Sequence, residues 1–356
     1  MSDGDLLQDG DVLVRRVGAL GRLTLNRPQA LNALTLDMAE AMTEWLRTWA
    51  DDGAVGTVLI DGAGERGLCA GGDLRALYDA AKSDDPLPQR FWATEYRLDV
   101  LIARYGKPVV AIMDGLTMGG GVGIAAHAAH RVVTERSAVA MPEVSIGYFP
   151  DVGASFLLAR APGHVGAHLA LTGERIGAAD AIYSGLADVH IPAAKLSELS
   201  TRLADCRNAS EVRARLADLS TPAAPGRLAA ARQWIDVCYG AETTEEIVAR
   251  LRNNQNEEAR AAATTLQKMS PTSLKITLRN IRAALSFAEL EDSFRQDYRI
   301  SLACIAAHDF IEGIRAAIVD KDRNPVWRPG KLEDVTPEIV AQHFRPVGAL
   351  ELTFPD

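Results

Sequence analysis

No apolar run in this chain approaches 18 residues, so no segment is expected to span a membrane. Cysteine is scarce: Cys69, Cys206, Cys238 and Cys304 stand far apart, with no C-x-x-C pair. A zinc ribbon or disulfide framework is therefore not expected, and the usage fits a reducing compartment. Positive charge is in deficit, with 38 Lys and Arg against 47 Asp and Glu and a net charge of −9. Surfaces that bind nucleic acid or anionic lipid are basic, so neither is an expected partner. A local basic patch for one phosphorylated ligand stays compatible with that balance. The start, Met1-Ser2-Asp3-Gly4-Asp5, is acidic with no apolar stretch behind it. No leader peptide is expected there, and the expected location is cytoplasmic. There is no G-x-x-x-x-G-K-[ST] loop and no G-x-S-x-G elbow; Glu143-Val144-Ser145-Ile146-Gly147 lacks the first glycine.

What is present is a large apolar reserve. A chain of 356 residues, 47% of them hydrophobic, can bury a sizeable core as one large domain or two moderate ones. Val12-Leu13-Val14 and Leu23-Thr24-Leu25 read as a hairpin around Gly18–Gly21. Helical periodicity runs over Asn32–Trp49 and over residues 88–105. Thr57–Ile60, Val109–Met113, Arg131–Thr134 and Ala138–Met141 read as strands. Alternation of this kind predicts an α/β fold with parallel pairing. From about Leu196 the strand signals stop and the remainder reads as helical, with Thr221–Gly226 the best linker. The expected division is a core over 1–200 and a helical C-terminal region over 201–356.

Four constellations could carry chemistry. Gly67-Leu68-Cys69-Ala70-Gly71-Gly72-Asp73 follows a strand; its glycines allow close approach to a ligand, or it is a tight connection capped by Asp73. Asp114 to Ile124 holds Gly115, Gly119, Gly120, Gly121 and Gly123 between a buried strand and an apolar helix expected over Ile124–Ala129. Free N–H groups at such a helix start favour negative charge. Gly121 to Ala126 also matches a degenerate G-x-G-x-x-A dinucleotide pattern, with Glu143 about 20 residues on, which keeps an NAD enzyme among the alternatives. Two such loops, each donating one backbone N–H, could instead form an oxyanion hole.

The third constellation is Met141 to Asp151, where Glu143 and Asp151 flank an apolar loop. Paired acids in unlike surroundings can divide acid and base roles. Asp151 could also N-cap a helix over Val152–Ala161, whereas Glu143 has no obvious structural task. The fourth is Glu95, which falls on the apolar stripe of Phe91, Leu98 and Ile102. A buried acid is costly unless paired or used; a salt bridge to Arg131 or Arg104 is the plain alternative. His127/His130 and His164/His168 have metal-compatible spacing but no third ligand, so no metal is expected. Cys69 reads as a small core residue ahead of a nucleophile.

In this order, these residues resemble the crotonase (enoyl-CoA hydratase/isomerase) superfamily, and most of all its thioester hydrolases of short branched 3-hydroxyacyl-CoA. Further matching stretches are Leu171-Thr172-Gly173, Pro271–Lys275, His308–Gly313 and Asp320–Pro325. The resemblance implies a spiral of ββα units with an extended helical C-terminal region. It implies an acyl-CoA substrate, with coenzyme A as part of that substrate and no separate cofactor. It places the oxyanion donors on the N–H groups of Ala70 and Gly120, with Gly71, Gly119 and Glu95 lining the substrate. It makes Glu143 the catalytic carboxylate, as nucleophile or as general base, with Asp151 beside it; Leu74, Leu77, Tyr148 and Phe149 are expected as walls. Hydratases of the superfamily carry a second glutamate three residues after the glycine donor; here that position is Gly123. The implied reaction is hydrolysis of 3-hydroxyisobutyryl-CoA, a step of valine breakdown. The alternatives are an enoyl-CoA hydratase or isomerase, and a non-catalytic acyl-CoA-binding subunit. The resemblance leaves room for a homo-oligomer.

Overall fold

The computed structural model describes residues 5–354; the acidic residues 1–4, on which the leader expectation turned, lie outside them. The hairpin is present as β2 (Val12–Val17) and β3 (Leu20–Leu25), preceded by β1 (Asp5–Gln8) on the edge. Gly18 turns between them at φ +59°, where a Cβ would stand 2.6 Å from the Ala204 carbonyl oxygen. From β3 the pairing becomes parallel through β4 (Thr57–Gly62), β6 (Val109–Met113), β8 (His130–Val133) and β10 (Val189–His190). A second sheet joins β5 (Gly67–Cys69), β7 (Leu116–Met118) and β9 (Ala138–Ala140). The interior strand β6 is buried along its whole length, which explains its unbroken apolar run.

Helix α1 covers Leu36–Asp51, four residues later than the periodicity predicted. Leu31 and Asn32 take left-handed conformations, and Thr35 caps the helix by accepting the Met38 N–H. Then follow α2 (Leu74–Lys82), which Asp73 caps through the Ala76 N–H, and α3 (Leu87–Ala103). After Val189–His190 no further strand occurs among the described residues, as the sequence pattern predicted.

The chain forms two compact units, each built from several segments. The first takes residues up to Gly72, then Thr94–Val139 and Arg175–Gly226. It holds both sheets. The helices Leu196–Leu203 and Ala209–Leu219 pack Leu199, Leu203, Val212, Leu216 and Leu219 against Leu20, Leu59, Val110 and Val132 of the large sheet. The second takes Asp73–Ala93, Ala140–Glu174 and the chain from Arg227 onward. It is mainly helical, and some of its helices carry clear caps: Thr243 and Glu246 form a reciprocal capping box, and Ser270 precedes Pro271 at a helix start. The units therefore do not divide at residue 200. Helices just beyond that point belong to the sheet because their apolar faces cover it. Two segments of the first half fold instead among the C-terminal helices, and the expected linker Thr221–Gly226 ends on the last unit boundary. No helix among the described residues is long and apolar enough to cross a membrane.

Candidate functional site

In the first unit the two glycine loops lie side by side. β5 and β7 pair in parallel so closely that a Cβ on Gly67 would strike the Leu116 backbone. The chain after Cys69 is tied back to residues 31–34: Ala70 N–H donates to the Leu31 carbonyl at 3.1 Å, and the Gly71 carbonyl accepts the Leu34 N–H at 2.9 Å. The Ala70 N–H, expected as an oxyanion donor, is thus already committed. Two residues on, the Gly72 N–H meets no protein acceptor among the described residues. Its nitrogen lies 3.6 Å from the point where a Cβ on Gly120 would stand.

Helix α4 runs over Gly120–Ala126, earlier than the glycine content suggested. Gly119 turns into it at φ +50°, and its carbonyl accepts the Val122 and Gly123 N–H groups. Gly120 N–H is the first of the helix, a position with no intrahelical acceptor. Gly72 and Gly120 therefore bring two backbone donors together, the arrangement that stabilises an oxyanion. The stretch Gly121–Ala126 lies wholly inside α4 and is buried, and a Cβ on Gly121 would strike the Cys69 carbonyl. It forms no open strand-to-helix loop for a dinucleotide pyrophosphate, and that alternative is set aside.

Glu95 sits mid-way along α3, 2% exposed, on the stripe with Phe91, Leu98 and Ile102. Its Oε1 occupies the space a Gly120 side chain would need, so the carboxyl stands directly beside that donor residue. Arg131, one expected partner, is instead engaged by Asp188 through its backbone N–H and guanidinium. Burial pushes the Cys69 thiol up to about 12, which leaves it a core residue as expected.

In the second unit, Glu143 opens a 3₁₀ turn, Glu143–Ile146, immediately after Pro142. Its carbonyl accepts the Tyr148 N–H at 3.1 Å, and Gly147 closes the turn at φ +72° hard against Asp309. The Glu143 side chain is buried, and its Oε2 has no hydrogen-bond partner. Burial first, then the neighbouring Asp151 charge, raises its pKa well above the usual carboxylate range. Asp151 does not cap a helix as expected. The following helix, α5 (Ala154–Leu158), is entered through Gly153 at φ +70° with no side-chain cap. The Asp151 carboxylate accepts instead from the Tyr148 hydroxyl at 3.3 Å. The local cap is displaced by a tertiary one: Asp297 Oδ2 takes the Gly153 N–H at 2.9 Å and holds the turn in which Val152 has φ +52°.

Of the expected walls, Leu77, Tyr148 and Phe149 are buried in this unit. The Tyr148 ring stacks on Phe310 at 4.4 Å and on Trp92 at 5.8 Å between centroids. Among the spaced histidines, His168 bonds Tyr239 at 2.9 Å and Glu174 at 3.0 Å. Burial lowers its pKa to about 3, so it is a neutral ring in a packed network.

A fold of parallel strands with paired glycine-loop donors, and a buried carboxyl pair after β9, are the parts of an acyl-CoA enzyme. The chain belongs to the enoyl-CoA hydratase/isomerase family, whose model matches residues 20–344. It is 40% identical over 351 residues to a mitochondrial 3-hydroxyisobutyryl-CoA hydrolase of Gallus gallus, covering 96% of this chain and 90% of that one. It is 42% identical over 342 residues to the protein of the same name from Danio rerio, covering 94% and 89%. Among solved structures, a carnitinyl-CoA dehydratase from Mycobacterium thermoresistibile superposes with a TM-score of 0.93 at 48% identity, covering 97% of this chain and 99% of that one.

Proposed function

We propose that the protein hydrolyses the thioester of a short branched 3-hydroxyacyl-CoA, 3-hydroxyisobutyryl-CoA, to the free acid and coenzyme A, as in valine breakdown. The observation that carries this reading is Glu143: a buried carboxyl with an unpartnered oxygen, raised pKa and a second acid beside it. Thioester hydrolysis needs an electrostatic sink for the carbonyl oxygen and a carboxylate to attack the carbon or activate water. In the first unit the Gly72 and Gly120 N–H groups are suited to the first task, and in the second unit Glu143 is suited to the second. A desolvated carboxylate with a raised pKa is a stronger base once ionised.

The step balances with water alone. Either Glu143 attacks the carbonyl carbon, the C–S bond breaks to release the CoA thiolate, and water then cleaves the mixed anhydride; or Glu143 removes a proton from water as it attacks. Asp151 orients the substrate hydroxyl or the water, and Glu95 lines the acyl end. Coenzyme A enters as part of the substrate.

A hydratase reading is favoured by one observation, the 48% identity to a chain named as a carnitinyl-CoA dehydratase. Against it stands Gly123, inside α4, at the position where the two-acid hydratases carry a carboxylate. Incubation with 3-hydroxyisobutyryl-CoA and with crotonyl-CoA, followed by free-thiol detection, tests the two. Thiol release from the first substrate is expected. Hydration of crotonyl-CoA with no thiol from either substrate would overturn the hydrolase reading.

A further inference from the structure

Tyr148 is more than a wall. Its hydroxyl lies 2.5 Å from Ser301 Oγ and 3.3 Å from Asp151 Oδ2, with both oxygens placed to accept. A phenol has one proton to give. The Ser301 proton is itself engaged, donated to the Asp297 carbonyl one turn back at 2.8 Å. The Tyr148 proton therefore divides between a serine oxygen and a carboxylate. The ring is held in an aromatic cluster: it stacks on Phe310 and on Trp92, which also face each other at 6.3 Å, and its centroid lies 4.7 Å from that of Phe149. The serine is equally fixed, since it sits on the Leu290–Ala306 helix, whose Asp297 is anchored by Asn280 at 3.0 Å and Gly153 at 2.9 Å.

We infer that Tyr148 is a positioning residue for Asp151, and that Ser301 tunes it by competing for the single hydroxyl proton. The inference rests on the reading of Asp151 as part of the hydrolytic machinery. When the proton points to Asp151, the carboxylate is steadied and its ionised form favoured. When it points to Ser301, the phenol oxygen turns a lone pair to Asp151 and favours the protonated acid. Titratable groups coupled to Asp151 include Glu143 on the preceding turn and Asp297 and Cys304 on the Leu290–Ala306 helix; all three are raised by the Asp151 charge in addition to their burial. Changes at Tyr148 and Ser301 leave these three groups in place, and the opposed signs below report the shared proton.

The two ends of this relay predict shifts of opposite sign. Tyr148→Phe keeps the ring stack and removes the proton; the limb of the kcat–pH profile set by the Glu143–Asp151 pair moves up by roughly half a pH unit or more. Ser301→Ala removes the competing acceptor; the proton turns to Asp151 and the same limb moves down. In the double variant the limb sits where Tyr148→Phe puts it, because Ser301 acts only through Tyr148. A purely structural role would move both single variants the same way or neither, and either result overturns the inference. The Asp151 carboxyl titration, followed by difference infrared spectroscopy against Asp151→Asn, is expected to show the same opposed shifts without substrate. Wild-type enzyme that releases no thiol would count against the hydrolase reading alone, and the infrared shifts would still decide this one.

Discussion

The two units carry their polar groups in opposite ways. In the first, the groups suited to an oxyanion belong to the backbone. Gly72 and Gly120 offer N–H donors, and glycine is required because a Cβ at 120 would strike Glu95. In the second, the groups suited to attack or proton transfer belong to side chains: Glu143 and Asp151 are buried acids, and the raised pKa of Glu143 comes from its surroundings. Backbone donors are fixed by strand pairing and tolerate no added atoms. Carboxyls tolerate isosteric replacement but depend on burial and neighbours for their pKa. The two kinds of site should therefore fail differently, one by steric displacement and one by loss of charge.

The largest expected effect is on the side-chain half. Glu143→Gln changes shape little and removes the attacking or basic carboxylate. A fall in kcat of about 10³-fold or more is expected, with acyl-CoA binding retained. Thiol release at the wild-type rate would take Glu143 out of the mechanism. Single-turnover reaction in ¹⁸O-water separates its two roles, since label enters the Glu143 carboxyl only if it is the nucleophile.

On the backbone half, Gly120→Ala removes no ionisable group. The new methyl meets Glu95 Oε1, and with that carboxyl itself buried the crowding is expected to move the 120 N–H off its line. Losing one oxyanion donor costs about 10²–10³ in kcat. The KM should change far less, because the donors act on charge that develops in the transition state. The paired control is backbone ester substitution. At residue 72 it should cost a comparable factor in kcat. At residue 70, where the N–H serves the Leu31 carbonyl, it should cost stability and little rate. The reverse pattern would restore Ala70 as the donor.

That last contrast marks where sequence reasoning ran out. Glu143, Glu95 and Asp151 were legible because a carboxyl in apolar company demands a reason wherever the chain puts it. Gly120 was legible from the density of glycine after a buried strand. Which N–H in Cys69–Asp73 stays free was not, because it depends on residues 31–34 pairing with that loop across more than thirty intervening positions. The cap assigned to Asp151 failed for a similar reason. Asp297, far along the chain, takes the Gly153 N–H and leaves Asp151 to Tyr148. The start of α4 was hidden because its first four residues include three glycines, which local propensity disfavours and close packing against Cys69 requires. The hairpin, the parallel strands and the end of strand structure near residue 190 followed from pattern alone.

A smaller effect should come from Asn32, which no sequence signal singled out. It is buried, its Nδ2 donates to the Ala63 and Gly67 carbonyls at 3.0 and 3.1 Å, and its Oδ1 accepts the Arg27 N–H. It ties the segment that holds residues 70–72 to the turn before β5. Asn32→Ala should destabilise the protein by about 1–3 kcal/mol, since it removes three hydrogen bonds of a buried amide and leaves part-buried carbonyls without it. A fall in kcat of roughly tenfold is expected through loosened donors. An equal loss of stability with unchanged kcat would show that the backbone half does not need this brace.

The smallest expected effect reverses sign and separates the halves most cleanly. The Glu143 carboxyl has a folded pKa above its unfolded value, chiefly from burial. Between those two values the folded state holds a proton that the unfolded state has lost, so stability falls as pH rises through that window; above the higher value the loss is complete. Glutamine cannot ionise and escapes it. Glu143→Gln, the least active variant here, should therefore melt higher than wild type at pH 8, by roughly 2–4 °C, with the gap closing as pH falls towards 4. Gly120→Ala should melt lower than wild type with no such pH dependence, because its defect is steric. A Glu143→Gln protein that melts lower at pH 8 would mean that the ionised carboxylate is stabilised in the fold, and the contrast between a backbone site limited by space and a side-chain site limited by desolvation would not hold.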